Sequence, residues 1–100
     1  MNEGEERLLV RKEDEFAISL TMMPSSGHDW HLVTCPLGIE FIDDSYVRPA
    51  DDERSVGGAG AHVFRFRANA IGTFAVSFVL KRSWEKSAIS SRIFQIHVSD

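Results

Sequence analysis

The chain has 100 residues, a hydrophobic share of 43% and a formal charge of −4. That length and composition suit one folded domain and exclude global disorder. Its Lys and Arg residues are scattered, which argues against the clustered basic surface that a nucleic-acid ligand requires.

Cys35 is the only cysteine, so neither an intrachain disulfide nor a cysteine-based metal cluster can form. No apolar run is long enough to cross a bilayer. The acidic start Met1-Asn2-Glu3-Gly4-Glu5-Glu6 lacks the apolar core of a signal peptide. As written, the chain reads as a soluble, cytoplasmic protein, or as an exported one if a leader was trimmed and replaced by an initiator Met.

Residues 1–6 read as a flexible solvated tail and residues 7–100 as a single domain. Arg7–Lys12, carrying Leu8, Leu9 and Val10, is a short strand at an edge. Glu15–Met22 alternates, with Phe16, Ile18, Leu20 and Met22 on one face; this period of two marks a half-buried strand. A turn follows, shaped by Pro24, which fixes φ, and Gly27, which takes positive φ without a Cβ penalty. Ser25 and Ser26 between them are small enough for another surface to approach the main chain. Trp30–Cys35 is the third strand, ended by Pro36-Leu37-Gly38, and Ile39–Ile42 is a short fourth.

Asp43–Ser55 reads as a solvated acidic loop with a short extended piece at Tyr46-Val47. It has no EF-hand spacing, so no metal is implied there. Val56-Gly57-Gly58-Ala59-Gly60-Ala61 is a small-residue segment leading into a strand over His62–Ala68. Thr73–Lys81 has the clearest alternation, with Phe74, Val76, Phe78 and Leu80 inward. Arg82–Ser90 is a polar loop carrying Trp84, and Ser91–Ser99 closes the domain with Phe94, Ile96 and Val98 inward. About seven short strands with regular turns and no helical periodicity predict an all-β fold, an immunoglobulin-like antiparallel β-sandwich.

With strands lettered A to G in order, Pro24–His28 lies in the B–C loop, Gly58–Ala61 in the D–E loop, and Arg82–Trp84 in the F–G loop. Alternating strand direction puts all of these loops at one end of the sandwich. The ordered set resembles the chagasin-type inhibitors of papain-like cysteine peptidases. That family carries Asn-Pro-Thr-Thr-Gly with a Trp three residues on, then Gly-x-Gly-Gly, then Arg-Pro-Trp or Arg-Pro-Phe. Pro24, Gly27 and Trp30 match the first motif, with Ser25 and Ser26 in place of the threonines. Gly58 and Gly60 match the second, and Arg82 and Trp84 the third.

Three positions depart from the pattern: Met23 replaces Asn, Ala61 replaces the last glycine or else the register slides to Gly57-Gly58-Ala59-Gly60, and Ser83 replaces Pro. The first and last of these remove devices that stiffen a loop. The resemblance implies a monomeric, reversible inhibitor with no catalytic residues, metal or cofactor. Its peptidase-binding residues would be Pro24, Ser25, Ser26, Gly27, His28, Gly58, Ala59, Gly60, Ala61, Arg82, Ser83 and Trp84. The implied partner is a papain-like cysteine peptidase, with no nucleic acid and no membrane. The competing reading is an immunoglobulin-like protein-binding module without peptidase inhibition.

Other chemistries fit less well. His28, His31 and His62 read as solvent-exposed loop histidines, because Cys35 is followed by Pro36-Leu37-Gly38 and not by the His and Met of a copper site. Cys35 itself reads as a buried, inert thiol. Ser25 and Ser26 lack a Gly-x-Ser-x-Gly context, which rejects a hydrolase. Trp84 has the alternative of being an ordinary cross-strand packing residue.

Overall fold

A computed structural model describes residues 5–22, 27–47 and 60–100, with strands and no helix among the described residues. The strands are β1 (Glu5–Arg11), β2 (Glu15–Met22), β3 (Asp29–Thr34), β4 (Ile39–Val47), β5 (Gly60–Ala68), β6 (Gly72–Lys81) and β7 (Ser90–Ser99). One sheet has the order β1-β7-β6-β3 and the other the order β2-β5-β4. All pairings are antiparallel except β1 with β7, which is parallel.

Alternation drives the stacking of the two sheets. Ile18 and Leu20 from β2, with Phe64 and Phe66 from β5, face Val76, Phe78, Phe94 and Ile96 from β6 and β7. Phe64 and Phe78 meet across the sheets with ring centroids 4.8 Å apart, and Phe78 meets Phe94 edge-on at 5.7 Å. Burial of each such ring contributes about 1.5–3 kcal/mol, and its aromatic geometry roughly 0.5–1.5 more. The inward faces expected for β2, β6 and β7 are the observed ones.

The start of β1, the end of β4 and the start of β5 differ from the sequence reading. β1 begins at Glu5, so Glu5 and Glu6 are strand rather than tail; Gln95 donates to Glu5 at 3.1 Å and Arg92 pairs with Glu6. β1 is parallel to its neighbour because the chain turns at Lys12–Asp14 and crosses to the opposite sheet without forming a hairpin. Lys12 N–H donates to Ser99 O at 2.8 Å on one sheet, and Glu13 N–H to Ala68 O at 2.6 Å on the other.

β4 runs on to Val47, where a loop from Asp43 was expected. Its acidic residues have cross-strand partners: both Asp43 oxygens accept from Arg65, at 2.7 and 2.6 Å, after a bulge between Phe41 and Asp43. The rest of the expected acidic loop, residues 48–55, lies outside the described residues. β5 starts at Gly60, two residues before the expected His62.

Gly38 closes the β3–β4 connection under the Phe74 ring, where an added Cβ would lie 2.3 Å from a ring carbon. Gly38→Ala is therefore expected to displace Phe74 and cost about 1–3 kcal/mol. Thermal unfolding followed by circular dichroism checks this. A lower Tm is expected, and an unchanged Tm would show that the ring swings aside without loss.

Candidate functional site

The strand ends decide where the loops emerge. Met22 at the end of β2 lies opposite Gly60 at the start of β5. Asp29 at the start of β3 lies opposite Lys81 at the end of β6. The segment 23–28 therefore leaves beside the start of β5 and returns beside the end of β6. Trp30, 5% exposed, donates its indole N–H to the Thr21 carbonyl at 2.9 Å and ties the two ends of that segment together. Gly27 has φ +79°, and a Cβ there would sit 3.6 Å from Arg82 Nε, so the B–C and F–G loops touch.

Gly27, His28, Gly60, Ala61, Arg82, Ser83 and Trp84 thus gather at one end of the sandwich. Pro24, Ser25, Ser26, Gly58 and Ala59, with Met23 and Gly57, lie outside the described residues. Gly60 and Ala61 belong to the middle strand of their sheet. Ala61 faces Thr21 on one side and Val47 on the other, so its main chain is engaged in the sheet and not displayed beyond it.

Trp84 is 74% exposed, which rules out the ordinary packing role. The Arg82 guanidinium lies 6.0 Å from its ring centroid. The turn beneath Trp84 is organised by Glu85, which sequence reasoning missed. Glu85 N–H donates to Arg82 O at 3.0 Å, and its carboxylate accepts from Arg82 N–H at 3.4 Å and from the guanidinium at 3.3 Å. Lys81 Nζ donates to Glu85 O at 3.0 Å, and His28 Nε2 stands 4.0 Å from Glu85 Oε1. The spacing of Arg82 and Glu85, three apart in a polar loop, is the available sequence signal. These bonds stiffen a turn that has Ser83 where the family pattern has Pro.

His62 corrects the expectation of an exposed loop histidine: it is 4% exposed, points inward in step with Phe64 and Phe66, and stacks on Phe64 at 4.1 Å. Its Nδ1 lies 2.9 Å from Asp29 Oδ1 and its Nε2 2.6 Å from Asp44 Oδ2. Tyr46 O–H donates to the other Asp29 oxygen, and Trp30 N–H to Asp29 Oδ1 at 2.7 Å. Burial by itself would raise the Asp29 pKa, but the bonds from Tyr46, His62 and the Trp30 amide outweigh it and hold the carboxyl below its ordinary value. The same bond to Asp29, with burial and the Asp29 and Asp44 charges, pushes the Tyr46 phenol up to about 12. His28 and His31 are half-buried. The Cys35 thiol is half-buried and lies 3.2 Å from Ile39 O, and burial raises its pKa. Among the described residues no group of three or more His, Cys, Asp or Glu is arranged to hold a metal ion.

The family model described as chagasin family peptidase inhibitor I42 matches residues 10–98. The chain belongs to the chagasin family. Among solved structures, the inhibitor is similar to the cysteine protease inhibitor EhICP2 from Entamoeba histolytica, with a TM-score of 0.73 and 17% identity over 94% of this chain and 95% of that one. It is also similar to amebosin, with a TM-score of 0.70 and 18% identity over 98% of this chain and 90% of that one. No curated protein sequence matches significantly. Identities this low carry the shared fold alone; the family match carries the class, and it makes the chain an inhibitor and not an enzyme.

Two outcomes follow from the loop bases. Glu85→Ala in the inhibitor should speed amide exchange at residues 82–85 by about tenfold while leaving Tm nearly unchanged, since it frees a surface turn; unchanged exchange would show that the backbone alone holds the turn. Asp29 has a lowered folded pKa, so its contribution to stability is present above the unfolded value and is lost as pH falls through the folded one. Urea midpoints below about pH 4 should therefore fall more steeply for the native chain than for Asp29→Asn. Parallel pH profiles would contradict this.

Proposed function

We propose that the chain is a reversible inhibitor of papain-like cysteine peptidases that fills the active-site cleft with its B–C, D–E and F–G loops. The observation that carries this reading is the exposed Trp84 standing beside the ends of segment 23–28, which Trp30 and Gly27 hold against Arg82. An exposed indole on a stiffened turn is the kind of anchor that dominates protein interfaces, commonly by about 2 kcal/mol or more.

The mechanism is occlusion. A papain-like enzyme attacks with a thiolate paired to a histidine and needs a carbonyl held within roughly 3–3.5 Å of the sulfur. Ser25 and Ser26 would lie over that pair and offer no correctly oriented peptide bond. Their small side chains let the main chain enter the cleft. Gly58 and Ala59 would pair main chain to main chain along the non-primed side, as a substrate does. Gly60 and Ala61 would anchor that ribbon in the sheet. On the primed side Trp84 packs on an aromatic surface, and Arg82 adds a charge-assisted contact. The inhibitor acts as a monomer on a protein partner, without nucleic acid, membrane or cofactor.

Titration of papain with this protein, in competition with an active-site-directed label, tests the proposal. Saturating protein should block labelling, and Trp84→Ala should weaken inhibition about thirtyfold. Replacing Ser25 and Ser26 by bulky residues should weaken it as well. Labelling at an undiminished rate would favour a binding module without peptidase inhibition.

A further inference from the structure

We propose that His62 is a positioning residue for peptidase binding: clamped between Asp29 and Asp44, it holds the bases of the three loops in one fixed relation. The proposal rests on the inhibitor reading of those loops. His62 follows Ala61 directly, at the base of the D–E loop. Asp29 follows Gly27 and His28 and lies opposite Lys81, the residue before Arg82. Asp44 and Tyr46 lie on the last stretch of β4, just before residues 48–59. One buried ring therefore connects with the strand ends from which every proposed binding loop departs.

The connection also crosses the sandwich. Asp29 sits on the four-stranded sheet, whereas His62, Asp44 and Tyr46 sit on the three-stranded one. An ionised carboxylate offers only acceptor lone pairs. A ring that meets one at each nitrogen, at 2.9 and 2.6 Å, satisfies both contacts only as the imidazolium with two N–H donors. Tyr46 and Phe64 pack against its faces with centroids 4.2 and 4.1 Å away.

The groups facing His62 are Asp29 from β3, and Asp44 and Tyr46 from β4. Its register partner on β2 is Leu20, which does not titrate, and Lys81 on β6 lies across from Asp29. Loss of one ring proton turns a hydrogen bond into a lone pair facing a carboxylate. The clamp therefore needs both ring N–H donors and both carboxylate acceptors at once. A Phe in this stack would fill the space and link nothing.

The test measures inhibition constants of the native chain, His62→Gln and Asp44→Asn against papain under one set of conditions. Both variants should inhibit about tenfold less well than the native chain while keeping its circular dichroism spectrum. Variants that inhibit as well as the native chain overturn the proposal. A second arm needs no peptidase: nitrogen NMR should show both His62 ring nitrogens carrying protons in the native chain, and amide exchange at Gly27, His28 and Arg82 should be faster in His62→Gln than in the native chain at the same pH. A ring with one bare nitrogen, or equal exchange in the two chains, overturns the clamp. A native chain that fails to inhibit papain would instead overturn the inhibitor reading, and the NMR arm alone would then decide the role of His62.

Discussion

The bond from the Trp30 indole to the Thr21 carbonyl is the constraint on which the loop end depends. Trp30 buries its ring in the common core and places its one polar atom on a carbonyl of the opposite sheet. The ring supplies apolar burial, and the bond spares the indole N–H an unsatisfied place inside the protein. Because it joins the residues flanking segment 23–28, the two sheets cannot slide at this end without breaking it. The neighbouring strand ends then follow from register, with Gly60 beside Met22 and Lys81 beside Asp29. Convergence of the strand ends at the loop bases is thus a property of strand pairing and needs nothing from the loop sequences themselves.

This division of labour bears on Ala61 and Ser83, two of the positions that depart from the family pattern. A binding loop gains affinity when its bound shape is held before the partner arrives. Where the family pattern uses Pro, this chain uses Glu85, which gathers the Arg82 amide, the Arg82 guanidinium and the Lys81 ammonium around one turn. Ala61 replaces a glycine at a position inside the sheet, flanked by Thr21 and Val47, where a methyl group suits strand geometry better than the flexibility of glycine. Stiffness has moved from the motifs to the residues beneath them.

The strands with strict alternation were legible in the sequence, because Phe16, Ile18 and Leu20, or Phe94, Ile96 and Val98, can share one face only in an extended chain. The order of the three small-residue or Trp-bearing motifs was legible too, and it pointed to the family whose model matches residues 10–98. What escaped was everything set by partners far along the chain. Asp43 and Asp44 looked like a solvated loop because Arg65 and His62, which receive them, lie on the next strand, 22 and 18 residues further along the chain. His62 looked exposed because its segment begins among glycines, yet its parity with Phe64 points it inward. The parallel placement of β1 depends on a crossover between sheets, which local pattern does not encode.

The most direct measurement of the central claim is a hydrogen-exchange footprint of the complex with papain. If the three loops together form the plug, protection will concentrate at Gly27 and His28, at residues 82–85, and in the segments between Met22 and Gly27 and between Val47 and Gly60. Protection confined to β1 and β7, or to the outward face of β4 and β5 around Asp43 and Arg65, would contradict it.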